Sequence, residues 1–274
     1  MDEAFDRAMR EVPPDLRNQL VYLDGIGYGD LYLTSGERGA PESSAASAAP
    51  APASAPAPEP PRRAAVTAPS GTAEEPAPAG ASPGSPAERA AALAALAREA
   101  EGCEKCRLAR GRTRVVFGTG DPDADLMFIG EGPGAEEDRQ GLPFVGPAGE
   151  LLDKIIQAIG LGREQVYIAN VVKCRPPGNR DPQPDEAAAC RPFLRRQIEL
   201  VQPRVIVALG RVAAQALLGT DQPLGRMRGR WFSVQGVPTM VTYHPAALLR
   251  NRAWKRPTWE DMQAVRDRLS GSGV

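Results

Sequence analysis

Between Gly36 and Ala87 the only strongly apolar side chain is Val66, and there is no aromatic residue. Twelve of the chain's 28 prolines fall between Pro41 and Pro86, mixed with alanine and serine. Such a stretch cannot bury enough apolar surface to offset the entropy of ordering its backbone. It reads as a disordered linker, kept extended by its polyproline character. The 274 residues therefore divide into an N-terminal segment (1–35), the linker (36–87) and one folding unit (88–274). The last is long enough for a single α/β core.

The formal charge of −1 conceals a division along the chain. Residues 1–87 carry 12 acids and 6 bases, whereas residues 88–274 carry 22 acids and 27 bases. The folding unit is mildly basic, which permits a polyanionic partner. No run of 18 apolar residues occurs, so a membrane span is not expected. The acidic start, MDEAFDRAMREVPP, has no apolar core of a secretory signal. With four cysteines and no export signal, the expected compartment is the reducing cytoplasm.

From Ser85 the texture changes. Ser85-Pro86 followed by the alanine-rich run to Ala100 predicts a capped helix leading to Cys103. Four short apolar strands follow, at 126–129, 166–169, 205–209 and 239–242, separated by amphipathic helical patterns. This alternation predicts a three-layer α/β sandwich with a central, mostly parallel four-stranded sheet.

Open sheets of this kind bind ligands outside the carboxyl ends of their strands. The first strand ends in Gly130-Glu131-Gly132-Pro133-Gly134, the second in Asn170, and the last in Tyr243-His244-Pro245. The glycine turn lets backbone approach a ligand closely, but it lacks the Lys-Ser/Thr of a phosphate loop and the spacing of a dinucleotide fingerprint. His244 is the only histidine, and it stands at a strand end against a proline. Asn170 offers an acceptor and two donors, which suit a pyrimidine edge. Phe144, in Gly141-Leu-Pro-Phe-Val-Gly146, suits either a core anchor or a platform for a stacked base.

The four cysteines form one complete set of thiolate ligands: Cys103-x-x-Cys106, Cys174 and Cys190. A redox pair at 103 and 106 would leave two cysteines unexplained. A zinc site of the usual two-knuckle type would need a second short spacing, which the interval from Cys174 to Cys190 does not supply. An iron–sulfur cluster suits four cysteines without a histidine ligand. Cluster, zinc and no metal all stay open on this chemistry.

Taken together these motifs resemble the family 4 uracil-DNA glycosylases. The likeness rests on Cys-Glu-Lys-Cys at 103–106, Gly-Glu-Gly-Pro-Gly at 130–134 and Gly-Leu-Pro-Phe-Val-Gly at 141–146. It continues with Asn-Val-Val-Lys-Cys-Arg-Pro-Pro at 170–177 and His-Pro-Ala-Ala-Leu-Leu-Arg-Asn at 244–251. Five motifs in the same order cover nearly all of residues 88–274.

The resemblance implies a base-excision repair enzyme that hydrolyses the N-glycosidic bond of deoxyuridine in DNA. It also implies a [4Fe–4S] cluster held by Cys103, Cys106, Cys174 and Cys190. Glu131, Gly132 and Pro133 would line the uracil pocket, Phe144 would stack on the base, and Asn170 would read its polar edge. His244 would face the uracil O2, with Glu131 near the sugar. Leu248 or Leu249 would wedge into the duplex, with Arg250 beside them on DNA. Apart from the resemblance, Glu137 follows the glycine turn by three residues and is placed to press against C5 and exclude thymine, the other reading being an ordinary exposed first-turn glutamate.

Two departures matter. Family 1 glycosylases place a water-activating Asp where this chain has Gly132, so the general base stays unassigned. The related family X enzymes form a covalent link to DNA through a histidine in an inserted loop. The sole histidine here already belongs to the His-Pro motif, so covalent trapping is not expected.

Two rival readings are a non-catalytic iron–sulfur protein that binds DNA or senses redox state, and a hydrolase of small N-ribosides. Only an enzyme predicts release of free uracil; the cations Arg250, Arg252, Lys255 and Arg256 favour phosphate contact, the other reading being a solvated helix start. A monomer is expected. In the N-terminal segment, Gln19-Leu-Val-Tyr-Leu23 loosely resembles the short peptides that dock repair proteins on the replication sliding clamp. A packed helix is the other reading of those residues.

Overall fold

The computed structural model describes residues 84–271. The docking peptide at 19–23 and the linker up to residue 83 lie outside the described residues. The elements run α1 (Pro86–Glu101), β1 (Thr119–Gly120), β2 (Leu126–Gly130), α2 (Ala135–Gln140), α3 (Pro147–Ala158) and β3 (Tyr167–Asn170). They continue with α4 (Pro184–Val201), β4 (Val205–Leu209), α5 (Gly210–Leu218), α6 (Leu224–Met227), β5 (Trp231–Val234), β6 (Val237–Thr242), α7 (Pro245–Arg250) and α8 (Lys255–Leu269).

Helix α1 starts where its sequence dictates. Ser85 Oγ accepts from the Glu88 amide at 3.3 Å and the Glu88 carboxylate accepts from the Ser85 amide at 2.7 Å. Pro86 supplies a preset φ in the first turn.

The sheet order is β1-β3-β2-β4-β6-β5. The four strands expected from the sequence are its parallel centre, with β3, β2, β4 and β6 adjacent in that order. Among the described residues the sheet has six strands rather than four, because an antiparallel strand is added at each edge. Strand β1 has two residues, too few to show a period. Strand β5 returns to β6 through Gln235-Gly236, both with positive φ, the backbone of a tight hairpin turn.

Side chains alternate faces along each strand, and this alternation divides the core into layers. Leu126, Phe128, Ile168, Val205 and Val207 pack with α3, α7 and α8 on one face. Met127, Ile129, Tyr167, Ala169 and Ile206 pack with α1 and α4 on the other. All five residues of β2 and of β4 are buried, as expected for parallel strands covered on both sides. The chain crosses from β2 to β3 on one side and then from β3 to β4 on the other side of β2, and this reversal opens a crevice at the carboxyl ends.

Candidate active site

That crevice holds a pocket of about 390 Å³. Glu131, Gly132 and Pro133 come from the turn after β2, Phe144 from the loop before α3, and Asn170 from the end of β3. His244 and Arg250 come from either end of α7, and Glu137 from α2. Sequence reasoning therefore named side chains that the fold brings together. The pocket also includes Asn179, Arg180 and Asp181, from the loop between β3 and α4, which it did not name.

The polar end of β3 meets an aromatic ring at Gly130. A β-carbon there would come within 2.5 Å of Asn170 Oδ1 and 2.6 Å of Phe144 Cζ, so only glycine lets both approach. Asn170 is 1% exposed, and its Oδ1 is buried without a hydrogen-bond partner. An orphaned buried acceptor is costly unless a ligand supplies the donor. Its backbone carbonyl accepts from Lys173 Nζ at 2.8 Å, and that ammonium also donates to Gln197 Oε1. Lys173 is itself buried, which pushes its pKa down to about 8.

Phe144 adopts φ 51°, a left-handed conformation uncommon for an aromatic residue. Its loop is tied by Glu137, whose Oε1 accepts from the amides of Val145 and Gly146 at 3.1 and 3.2 Å. The other oxygen of Glu137 accepts from the Gly134 amide at 3.1 Å. Glu137 thus fastens the glycine turn to the Phe144 loop and is not an ordinary exposed glutamate.

His244 caps α7, its Nδ1 accepting from the Ala246 amide at 3.1 Å. An acceptor at Nδ1 puts the proton of the neutral ring on Nε2. Burial, helped by Arg250 and opposed by Glu137, pushes its pKa down to about 4. The ring stacks on Phe144 with centroids 5.4 Å apart and planes at 28°. Gly210, at φ +87°, makes room for it, since a β-carbon there would stand 2.9 Å from His244 Cβ.

Burial pushes the Glu131 carboxyl up to about 7, with Asp181 adding to the rise and Arg211 opposing it. Asp181, which lines the pocket, is paired with Arg211.

The expected wedge is corrected in part. Leu248 is fully buried in the core face formed with α3 and α8, so it cannot reach a duplex. One residue on, a turn of about 100° leaves Leu249 51% exposed.

On the opposite side of β3, Cys103, Cys106, Cys174 and Cys190 line one further cavity. No carboxylate or histidine lines it, while Lys105, Arg112 and Lys173 do. Arg112 donates to Cys174 Sγ at 3.5 Å and the Lys173 amide to Cys190 Sγ at 3.3 Å. Such donors and cations stabilise thiolates. Burial pushes the Cys174 and Cys190 thiols up, opposed by Arg112 at Cys174 and by Lys173 at Cys190. Among the described residues, no three His, Cys, Asp or Glu side chains gather to hold a single metal ion. Four thiols around one cavity without a carboxylate or histidine make an all-sulfur donor set, the kind an iron–sulfur centre uses.

The fold and this crevice define a class, which comparison with known proteins supplies. The sequence profile of the uracil DNA glycosylase superfamily matches residues 117–263, and the chain belongs to that superfamily. Within it, the chain is similar to type-4 uracil-DNA glycosylases. It is 44% identical over 188 residues to that of Saccharolobus solfataricus, covering 65% of this chain and 87% of the relative. It is 45% identical over 177 residues to that of Thermotoga maritima, covering 62% and 91%. A type-5 uracil-DNA glycosylase of Pyrobaculum aerophilum is 34% identical over 153 residues, covering 49% and 67%. Among the described residues no helix is long and apolar enough to cross a membrane.

Proposed function

We propose that this protein is a monofunctional uracil-DNA glycosylase that hydrolyses the N-glycosidic bond of deoxyuridine in DNA, releasing uracil and leaving an abasic site. The observation that carries the reading is the buried, unpartnered Oδ1 of Asn170 beside the Phe144 and His244 rings. A uracil extruded from the duplex supplies the missing donor at N3–H. Stacking on Phe144 adds about 1–3 kcal/mol, comparable with the few kcal/mol needed to flip the base.

Bond cleavage leaves negative charge on uracil and an oxocarbenium-like sugar. His244, neutral and with its proton on Nε2, donates to uracil O2 as that charge develops. A neutral donor loses nothing to proton bookkeeping, and its low pKa keeps it neutral across the physiological range. Glu131, as carboxylate, orients the water that attacks the sugar and balances the cation. Gly132 and Pro133 form the wall of the pocket, Leu249 fills the space the base vacates, and Arg250 meets the adjacent phosphate.

Cys103, Cys106, Cys174 and Cys190 hold a [4Fe–4S] cluster. The supporting observation is their shared, carboxylate-free cavity with N–H donors to sulfur. When bound, the cluster supplies structural cross-linking between the end of α1, the loop after β3 and α4. Thymine exclusion by Glu137 acts through the loop it fastens. The enzyme works as a cytoplasmic monomer, with residues 19–23 as its docking peptide for the sliding clamp.

The direct test is release of free uracil from an oligonucleotide. Alkali-labile cleavage at the uracil position by the parent, lowered about 10–100-fold in Asn170→Asp, is the expected result; the range corresponds to one buried group left unpaired. Aspartate replaces the amide donor opposite O4 with an acceptor, which suits the N4 amino group of cytosine instead. No uracil release by the intact parent overturns the reading.

A further inference from the structure

Among the described residues the exposed large apolar side chains are Leu142, Leu249 and Trp254. All three lie in or just beyond the segments that carry Phe144 and His244 into the pocket. Leu249 has a place in the reading above. Trp254 has none.

Trp254 packs on a braced neighbour. Its indole lies parallel to the Tyr243 ring, with centroids 4.8 Å apart and planes at 1°. The Arg228 guanidinium also stands over the Tyr243 ring, 5.7 Å from its centroid. Arg228 is fixed by Asp261 at 3.0 and 3.1 Å and by the Pro257 carbonyl at 3.0 Å. Thr242 donates to the same aspartate at 2.6 Å, and Thr258 donates to the Trp254 carbonyl at 2.8 Å. Tyr243 covers one face of the indole, yet 37% of Trp254 stays exposed. Rigid mounting of a large exposed ring is the arrangement that binds another flat ring at little entropic cost.

The surroundings select the partner. Arg250 and Arg252 are exposed and enter no salt bridge among the described residues, whereas Arg256 is paired with Glu260. Burial lowers the Lys255 pKa, and the charges of Arg252 and Lys154 add to the fall, so several cations share this rim. Cations flanking an exposed aromatic face are the combination that binds unstacked bases through stacking and phosphate contact.

We propose that Trp254 is a stacking platform for a DNA base left without its neighbour when the target nucleotide is extruded. This rests on the reading of the chain as a glycosylase acting on DNA and extends it beyond the pocket. Tyr243 directly precedes His244, so the platform and the oxyanion donor share one stretch of backbone. A base seated on the indole fixes the register of the strand relative to the pocket. Stacking is indifferent to base identity, so the contact adds affinity without sequence preference.

The test uses the full chain with Trp231→Phe and Trp259→Phe, which leaves Trp254 as the only tryptophan. Uracil release by that protein, equal to the parent, establishes that the enzyme reading holds in the background used. Titration with a duplex carrying an abasic site should then quench the Trp254 emission, and an uncut duplex without a lesion should quench it less. In the parent background, Trp254→Leu should weaken binding of the abasic duplex about tenfold, and Trp254→Phe should recover most of the loss. Unchanged emission at saturation, or equal affinity of Trp254→Leu and the parent, overturns the platform while leaving the glycosylase reading intact. Failure of the parent to release uracil overturns the glycosylase reading instead.

Discussion

The Nδ1 of His244 accepts a hydrogen bond from the Ala246 amide at 3.1 Å. One contact caps a helix and fixes the tautomer that points a proton into the pocket. Removing the ring therefore has two separable effects. His244→Ala loses the cap, costing about 1 kcal/mol of stability, and lowers uracil excision about 10²–10³-fold, the usual cost of one oxyanion donor. His244→Asn keeps a capping acceptor and should restore the melting temperature but not the excision rate. Equal excision by both variants and the parent would remove His244 from the chemistry.

Glu131 should set the acid limb of the pH–rate profile. Its carboxyl is pushed up to about 7, whereas His244, near 4, does not change charge in that range. Excision rises with pH as Glu131 ionises, and Glu131→Gln flattens the limb. The stability change has the opposite sense. Between pH 4.5 and 7 the folded protein binds more protons at this site than the unfolded chain, so stability falls as pH rises. Glu131→Gln should thus melt higher than the parent at pH 8 and nearly the same at pH 4.5.

Glu137→Ala releases three amides, those of Gly134, Val145 and Gly146. Loss of that tie should cost about 1–3 kcal/mol of stability and reduce kcat/KM on uracil, because the Phe144 loop is no longer held. Thymine released from a G·T mismatch by this variant supports the exclusion role. Slower uracil release with no thymine product assigns Glu137 to loop positioning alone.

Cys190→Ala should lose iron and sulfide together and lower the melting temperature, since α4 would no longer be joined to the loop after β3. Metal analysis of anaerobically purified parent protein is expected to give iron and acid-labile sulfide. Stoichiometric zinc in their place contradicts the cluster.

Replacing Gln19 and Leu20 by alanine should abolish retention on an immobilised sliding clamp while leaving excision from short oligonucleotides unchanged. A clamp that never retains the intact chain removes the docking peptide from consideration. A large fall in melting temperature on deletion of residues 1–35 identifies a packed helix instead.

The parallel centre of the sheet was legible in the sequence because each buried strand is a compact apolar run bounded by polar or glycine residues. The edges were not. Two residues of β1 carry no period, and β5 reads as an irregular Trp-Phe-Ser-Val until its hairpin turn is seen. Within the site, residues at strand ends were visible because a strand end is a position the pattern defines. Asp181 and Arg211 were not, since their relation to Glu131 depends on how the loop after Cys174 returns over the crevice. Leu248 and Leu249 show the finer limit: adjacent leucines in a short helix look alike until packing against α3 decides which one is buried. Lys173 was hidden for a related reason, because a buried lysine is understood only once its partners, Asn170 and Gln197, are known.

Gly149 stands at the third position of α3, outside the pocket, where a β-carbon would fall 1.9 Å from the Phe144 carbonyl oxygen. Any larger residue there must push the helix start and the loop apart, and Phe144 would move with the loop. The clearance available to a flat base is thus governed by an atom that is missing from a neighbouring helix. Substrate range in this enzyme can consequently drift through a position that no ligand touches, and a search for altered specificity confined to the pocket walls would pass over it.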